Sequence, residues 1–336
     1  MTGADDAATT SQTDASILTC SFRGDFEICS MLCESIDRFV PETIKHKLYV
    51  PQADLNLFQP LANARRSVIS EDTLLPRWFW KIPMPSAYWR RRLFLPRRNF
   101  YLTPFSLPVR GWIAQQIMKI AAAAAASTEI VLHVDSDALF VRPFSVDRVF
   151  PDGAHARLFR RASEAGKGHR SWHLAASKLL GLPPDEFHDG DYIDSLVVWR
   201  RSVVRKMIER IEQTGKRDWK IILGRTPHFS EYLLYGVFAE RVLGLADAKL
   251  AIEKVSLCHS RWLDEFSGPK DEADFVTSLD PKMVGFCVQS TIALSLAQRR
   301  DLYERMISFA ELQDQSSLKP VADEVSCRGY ENLPSQ

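Results

Sequence analysis

From Ile17 onward the chain alternates short apolar runs with longer segments whose apolar residues recur every three or four positions. The pattern predicts a strand over Ile17–Phe22. An amphipathic helix over Phe26–Val40 follows, with Ile28, Met31, Leu32, Ile36 and Phe39 on one face and Pro41 ending it. His46–Val50 predicts a second strand and Arg66–Leu74 a third. A Pro-, Trp- and Arg-rich stretch then runs to Leu107 without a clear period and predicts a long structured loop. Beyond it, Trp112–Ala126 reads as helix, Glu129–Val134 as strand, Ala156–Arg160 as strand and Leu174–Leu182 as helix. Tyr192–Trp199 reads as strand and Val203–Thr214 as helix, Ser230–Leu243 as helix, and Leu250–Cys258 as a strand delivering His259. Strands alternating with helices predict an α/β fold, a mostly parallel central sheet with helices on both faces. Polar, aperiodic ends mark residues 1–15 as a disordered tail and 315–336 as a loose one, leaving a single domain over 16–314.

The segment Thr128–Phe144, TEIVLHVDSDALFVRPF, carries the clearest chemistry. Glu129–Val134 is β-branched and nearly uncharged, as expected of a strand buried on both faces. At such a strand's carboxyl end lies the ligand crevice of an open α/β sheet. Alternation at period two would aim Asp135 and Asp137 the same way. Two like charges there repel unless a cation separates them. A hard divalent ion, Mn²⁺ or Mg²⁺, uses one or two carboxylates plus substrate phosphate oxygens, so the pair predicts a phosphorylated ligand. The alternative is an ordinary turn, which Asp also favours.

HVDSDALFVRPF resembles the DXD segment of glycosyltransferases with the GT-A (Rossmann-like) fold, and Arg110-Gly-Trp-Ile-Ala-Gln-Gln-Ile-Met-Lys119 resembles the helix preceding that segment in bacterial DXD enzymes. More distantly, the order of elements is similar to the glycogenin-like and galactosyltransferase-like retaining family. The resemblance implies transfer of a sugar from a nucleotide-sugar donor, most simply a UDP-sugar, to a saccharide or glycolipid acceptor in polysaccharide biosynthesis. It implies a metal held by Asp135, Asp137 and a later histidine, His259, with Ser136 beside the donor. It places the donor at the first βα turn, Ser21-Phe-Arg-Gly-Asp25, where Asp25 meets ribose or base and Arg23 faces phosphate; the alternative for Asp25 is a helix cap.

On the helix before the carboxylates, Gln115 or Gln116 is expected to reach the donor sugar, and only one of two adjacent residues can face it. Arg261, in Cys258-His-Ser-Arg-Trp262, has the fork to hold a phosphate oxygen. Asp194-Ser195 resembles the polar pair that touches the donor sugar in glycogenin-like enzymes, which more usually carry Asn there, so Asp194 is a catalytic candidate. Glu231, at a helix start, is a candidate general base or sugar-binding acid; Asp189 and Asp191 read as turn residues and His133 as buried. Trp89-Arg-Arg-Arg92 with Arg97-Arg98 reads either as an acceptor-binding patch or as a surface loop with cation–π contacts.

Composition narrows the alternatives. In 336 residues, 43 basic side chains nearly cancel 42 acidic ones, which discourages nucleic acid as a partner. The six cysteines lack the close paired spacing of a zinc ribbon and fit a reduced, cytoplasmic protein. There is no secretory signal and no apolar run of roughly 18 residues, so a soluble protein is expected, peripheral to a membrane at most. The Gly-rich signatures of dinucleotide folds and P-loops are missing. A sugar nucleotidyltransferase and a non-catalytic nucleotide- or sugar-binding protein remain as rival readings.

Overall fold

The computed structural model describes residues 15–82, 88, 92, 99–162, 169–183 and 189–318. Most of both expected tails lies outside the described residues, as do Trp89, Arg90, Arg91, Arg97 and Arg98 of the basic segment.

Five strands form the central sheet: β1 (Ala15–Cys20), β2 (Lys45–Val50), β3 (Arg66–Ser70), β7 (Ile130–Val134) and β12 (Leu196–Arg200), in the spatial order β12-β7-β1-β2-β3. β7, β1, β2 and β3 are parallel, and β12 runs antiparallel to β7. Apolar residues fill both faces of β1 and β7, as expected of central parallel strands: Ile17, Leu18, Val131 and Leu132 are all buried. Helix α1 (Phe26–Phe39) follows β1, and α2 (Gly111–Ala124) leads into β7. The chain crosses from β1 to β2 in one direction and returns past β1 to β7 in the other. Right-handed crossovers therefore set α1 and α2 on opposite faces. α2 packs on β1 and against α4 (Arg201–Gly215) and α5 (Glu231–Val237), with α3 (Arg170–Leu180) in the same layer. The predicted α/β fold, with its mostly parallel sheet, is what forms.

Several elements differ from the sequence reading. The expected loop before Leu107 contains an antiparallel meander, β4 (Trp80–Lys81), β5 (Phe100–Thr103) and β6 (Ser106–Arg110). Its strands are too short to show a period, and only Tyr101 and Val109, paired across β5 and β6, turn inward. The single strand expected over Leu250–Cys258 is two: β13 (Leu250–Glu253) pairs with β9 (Ala156–Phe159), while β14 (Cys258–Arg261) joins another sheet. Between them Ser256 Oγ accepts the Cys258 amide at 2.7 Å, a local bond that competes with a continuous ladder. In the second sheet, order β14-β15-β8, β8 (Ala138–Phe140) and β14 flank β15 (Gly285–Val288), a strand the sequence reading did not contain. Helix Ser230–Leu243 is α-helical only to Val237 and continues as a π-helix over Phe238–Leu243. Two C-terminal helices, α6 (Pro269–Thr277) and α7 (Leu296–Leu318), were also unforeseen, and α7 carries order past Asp314.

Candidate active site

β7 ends at Val134, and its ladder with β12 continues one step, the Asp135 amide donating to Ser195 O at 3.0 Å. The chain then turns sharply: the Ala138 amide donates to Asp135 O at 3.1 Å. Asp135 and Asp137 therefore span a tight turn between two sheets rather than alternate positions of one strand. Their side chains take different partners, which corrects the period-two expectation.

Asp135 Oδ1 accepts from Lys119 Nζ at 2.9 Å. The same ammonium donates to Tyr232 Oη at 2.8 Å and stands 3.2 Å from Glu231 Oε1. Lys119 lies on α2, and Glu231 and Tyr232 open α5, whose start is capped by Ser230 Oγ accepting from the Leu233 amide. Burial disfavours a charge on Lys119, but Asp135, Tyr232 and Glu231 outweigh it and hold the ammonium well above its usual pKa. Burial pushes the Glu231 carboxyl up, against the pull of Lys119. Lys119 was not singled out from the sequence. Its signal was there: it is the one charge between Gly111 and Ala124 in an otherwise apolar and amide-bearing helix, and a lysine so placed is buried only with a partner.

Asp137 takes different partners. Its Oδ2 accepts the Ser290 amide at 2.7 Å and its Oδ1 faces Cys287 Sγ at 3.4 Å. Burial, then the charge of Asp135, pushes its carboxyl up to about 6. The loop supplying Ser290 is pinned by Arg299 of α7, which donates to the carbonyls of Val288, Gln289 and Ile292. Asp25 closes the group. Its side chain makes no cap bond and instead receives Ser136 Oγ at 3.4 Å. Ser21 and Asp25 line a cavity of about 500 Å³ with Phe22, Glu71, Trp112 and Gln115 over the carboxyl ends of β1, β2 and β3.

Other expected site residues are committed elsewhere. Arg23 Nε bonds Asp54 Oδ1 at 2.6 Å, its side chain mostly exposed. Gln115 lines the cavity, whereas Gln116 is a brace, its Oε1 accepting the Glu231 amide at 3.0 Å and its Nε2 donating to Trp112 O at 3.5 Å. Arg261 is used up by a bidentate pair with Asp271 (2.9 and 2.7 Å) and by the carbonyls of Asp264 and Glu265. His259 does not join the carboxylates. Alternation along β14 sends Ser260 to Ser195 (Oγ to Oγ 3.1 Å) and His259 to the opposite face, stacked on Phe275 of α6 at 4.2 Å with Nε2 on Phe275 O at 3.0 Å. Asp194 is buried, accepting from the Ser195 amide at 2.8 Å and from Ser256 Oγ, and burial pushes it up to about 7. Asp191 bonds the Ile193 amide, a turn contact, and Asp189 pairs with Arg160 at the surface. His133 is buried against Trp199.

Among the described residues no three His, Cys, Asp or Glu side chains converge to hold a metal. The donor chemistry of the pair, two hard carboxylates close enough that the charge of Asp135 adds to burial in raising the proton affinity of Asp137, fits a divalent cation that would draw its other ligands from substrate and water.

Fold and site together define an α/β protein with a buried lysine–carboxylate cluster at the carboxyl edge of a mostly parallel sheet. The chain belongs to the family described as a family of unknown function, DUF6492, which it matches over residues 13–308. Among solved structures it is similar to apo mouse xyloside xylosyltransferase 1, at 10% identity and TM-score 0.43, covering 84% of this chain and 99% of that one. No curated protein matches. Among the described residues no helix is long and apolar enough to cross a membrane, and the five described cysteines are free.

Proposed function

We propose that this protein is a metal-dependent glycosyltransferase of GT-A type, moving a sugar from a nucleotide-sugar, a UDP-sugar in the simplest case, to a saccharide or glycolipid acceptor. The observation that carries this reading is the Lys119 ammonium held between Asp135 and Glu231 in the fold that bears the cavity at the ends of β1–β3. Breaking a glycosidic bond to a nucleoside diphosphate builds negative charge on the leaving phosphate, and a site that speeds this step places fixed positive charge there.

Asp135 and Asp137 are the residues that would hold Mn²⁺ or Mg²⁺, which when bound supplies Lewis-acid neutralisation of the diphosphate. The chain's own groups do the rest. Lys119 adds a second positive charge and fixes Asp135 and Glu231 in place. Gln116 clamps the first turn of α5, so Glu231 is positioned by backbone as well as by charge. Glu231 is the acid suited to hydrogen-bond the transferred sugar or to take the acceptor's proton, its affinity for that proton raised by burial. Asp25 and Ser136, bonded to each other, are the groups this reading assigns to the ribose hydroxyls.

Calorimetric titration with UDP, GDP and CMP, each with Mn²⁺ and with EDTA, tests the proposal. Binding of one nucleotide only in the presence of metal is the expected result. Absence of binding to all three overturns it.

A further inference from the structure

Trp112 opens α2 at the carboxyl edge of the sheet and remains 45% exposed, although it lines the cavity that holds Ser21, Asp25 and Gln115. It is backed by a stack of rings. The Trp112 and Trp172 centroids are 5.7 Å apart at 34°, and His169 stacks on Trp172 at 4.8 Å and 23°. Trp172 belongs to the first turn of α3, so two helices converge to hold one indole at the mouth of the site. A large apolar ring kept half in solvent and braced from behind is a surface made to receive something flat.

Its position says what. Trp112 and Lys119 are seven residues apart on α2, two turns along one face, so about 10 Å of helix axis separates them. The link between them is direct: Gln116 donates to Trp112 O and accepts the Glu231 amide, and Glu231 meets Lys119. A pyranose ring spans roughly half that distance. A sugar reacting beside Lys119 and Glu231 therefore brings its neighbouring residue up to Trp112. The other large exposed ring of the cavity, Phe22 at 43%, follows the end of β1.

We infer that Trp112, stiffened by Trp172 and His169, is a stacking platform for the second sugar of an oligosaccharide acceptor, so that the acceptor is at least a disaccharide. Saccharide rings offer an apolar C–H face to the indole and hydroxyl edges to polar neighbours, the mixture that ligand sites of this kind use. This inference rests on the glycosyltransferase reading and adds the length and the binding mode of the acceptor to it.

The test measures binding of methyl glucoside, methyl galactoside, lactose, cellotriose and maltotriose to wild type, Trp112→Ala and Trp112→Phe, and titrates the same proteins with UDP, GDP and CMP plus Mn²⁺. Trp112 is exposed, so both variants are expected to fold, and melting curves check this. The expected result is that a di- or trisaccharide binds wild type better than any monosaccharide. Trp112→Ala then weakens that binding about tenfold and removes the length preference, Trp112→Phe restores most of it, and nucleotide binding is unchanged. Loss of nucleotide affinity in Trp112→Ala with unchanged saccharide binding would make the ring a base platform and overturn the inference while leaving the proposed function standing. Wild type that binds none of the sugars also overturns it. Wild type that binds sugars but no nucleotide overturns the proposed function instead.

Discussion

Lys119 Nζ lies 3.2 Å from Glu231 Oε1, and both side chains are almost fully removed from solvent. The ammonium also holds Asp135, so one buried cation neutralises two carboxylates from different elements. Removing it leaves both without a counter-charge. Lys119→Met is expected to cost about 3–5 kcal/mol of stability, because a lone buried charge is costlier than the loss of a pair. Lys119→Met/Glu231→Gln should recover part of that loss. Chemical denaturation of the single and double variants checks it; a double variant no more stable than Lys119→Met would show that the pair is not coupled.

Asp137 is disfavoured as a charge by burial and then by Asp135, so Asp137→Asn removes an unfavourable charge. The variant is expected to be as stable as wild type or more so at pH 8, yet to lose Mn²⁺-dependent nucleotide binding by at least about tenfold. Thermal melting and calorimetry on the same preparation separate the two effects.

His259 packs on Phe275 away from the carboxylates. His259→Ala should therefore keep the metal dependence of nucleotide binding and lose about 1–2 kcal/mol of stability through the vacated contact. A loss of metal response with unchanged folding would return the imidazole to the metal site.

Asp194 gives a pH dependence. Its carboxyl moves from 3.8 to about 7, chiefly through burial. Between those values the folded chain holds a proton that the unfolded chain has released, so stability falls as pH rises through the window and stays lower above it. The cost is at most about 4 kcal/mol. Asp194→Asn should lessen the fall of stability between pH 4 and 8, leaving the part due to the raised carboxyls of Asp137 and Glu231, and exceed wild type at the upper end, as measured by urea unfolding across pH.

Arg299 holds three carbonyls around Ser290, and Ser290 in turn donates to Asp137. Arg299→Leu is expected to destabilise by about 3 kcal/mol and to speed hydrogen exchange at the Ser290 amide. Arg299→Lys should not rescue the amide, because a lysine lacks the planar fork.

Local pattern was enough to find α1, β1, β2, β7 and α2 to within a few residues, since their burial follows from short-range periodicity. It located Asp135 and Asp137 at a sheet edge for the same reason. It did not show that the strand ends between them, where Ala138 closes a turn onto Asp135. The meander before α2 leaves no periodic signature, as its strands are too short to repeat.

The amino-acid order alone therefore determined the βα succession, the carboxylates at the end of the central strand, and the acid that opens α5. Only the tertiary structure decided which side chains meet. Lys119 finds Asp135 and Glu231 across two helices and a strand end, and Arg261 is spent on Asp271. His259 faces away because β14 pairs with β15 in a register that turns Ser260 toward Ser195. Partners and facing directions depend on the pairing of segments far apart in the chain, and a local pattern carries no record of that pairing.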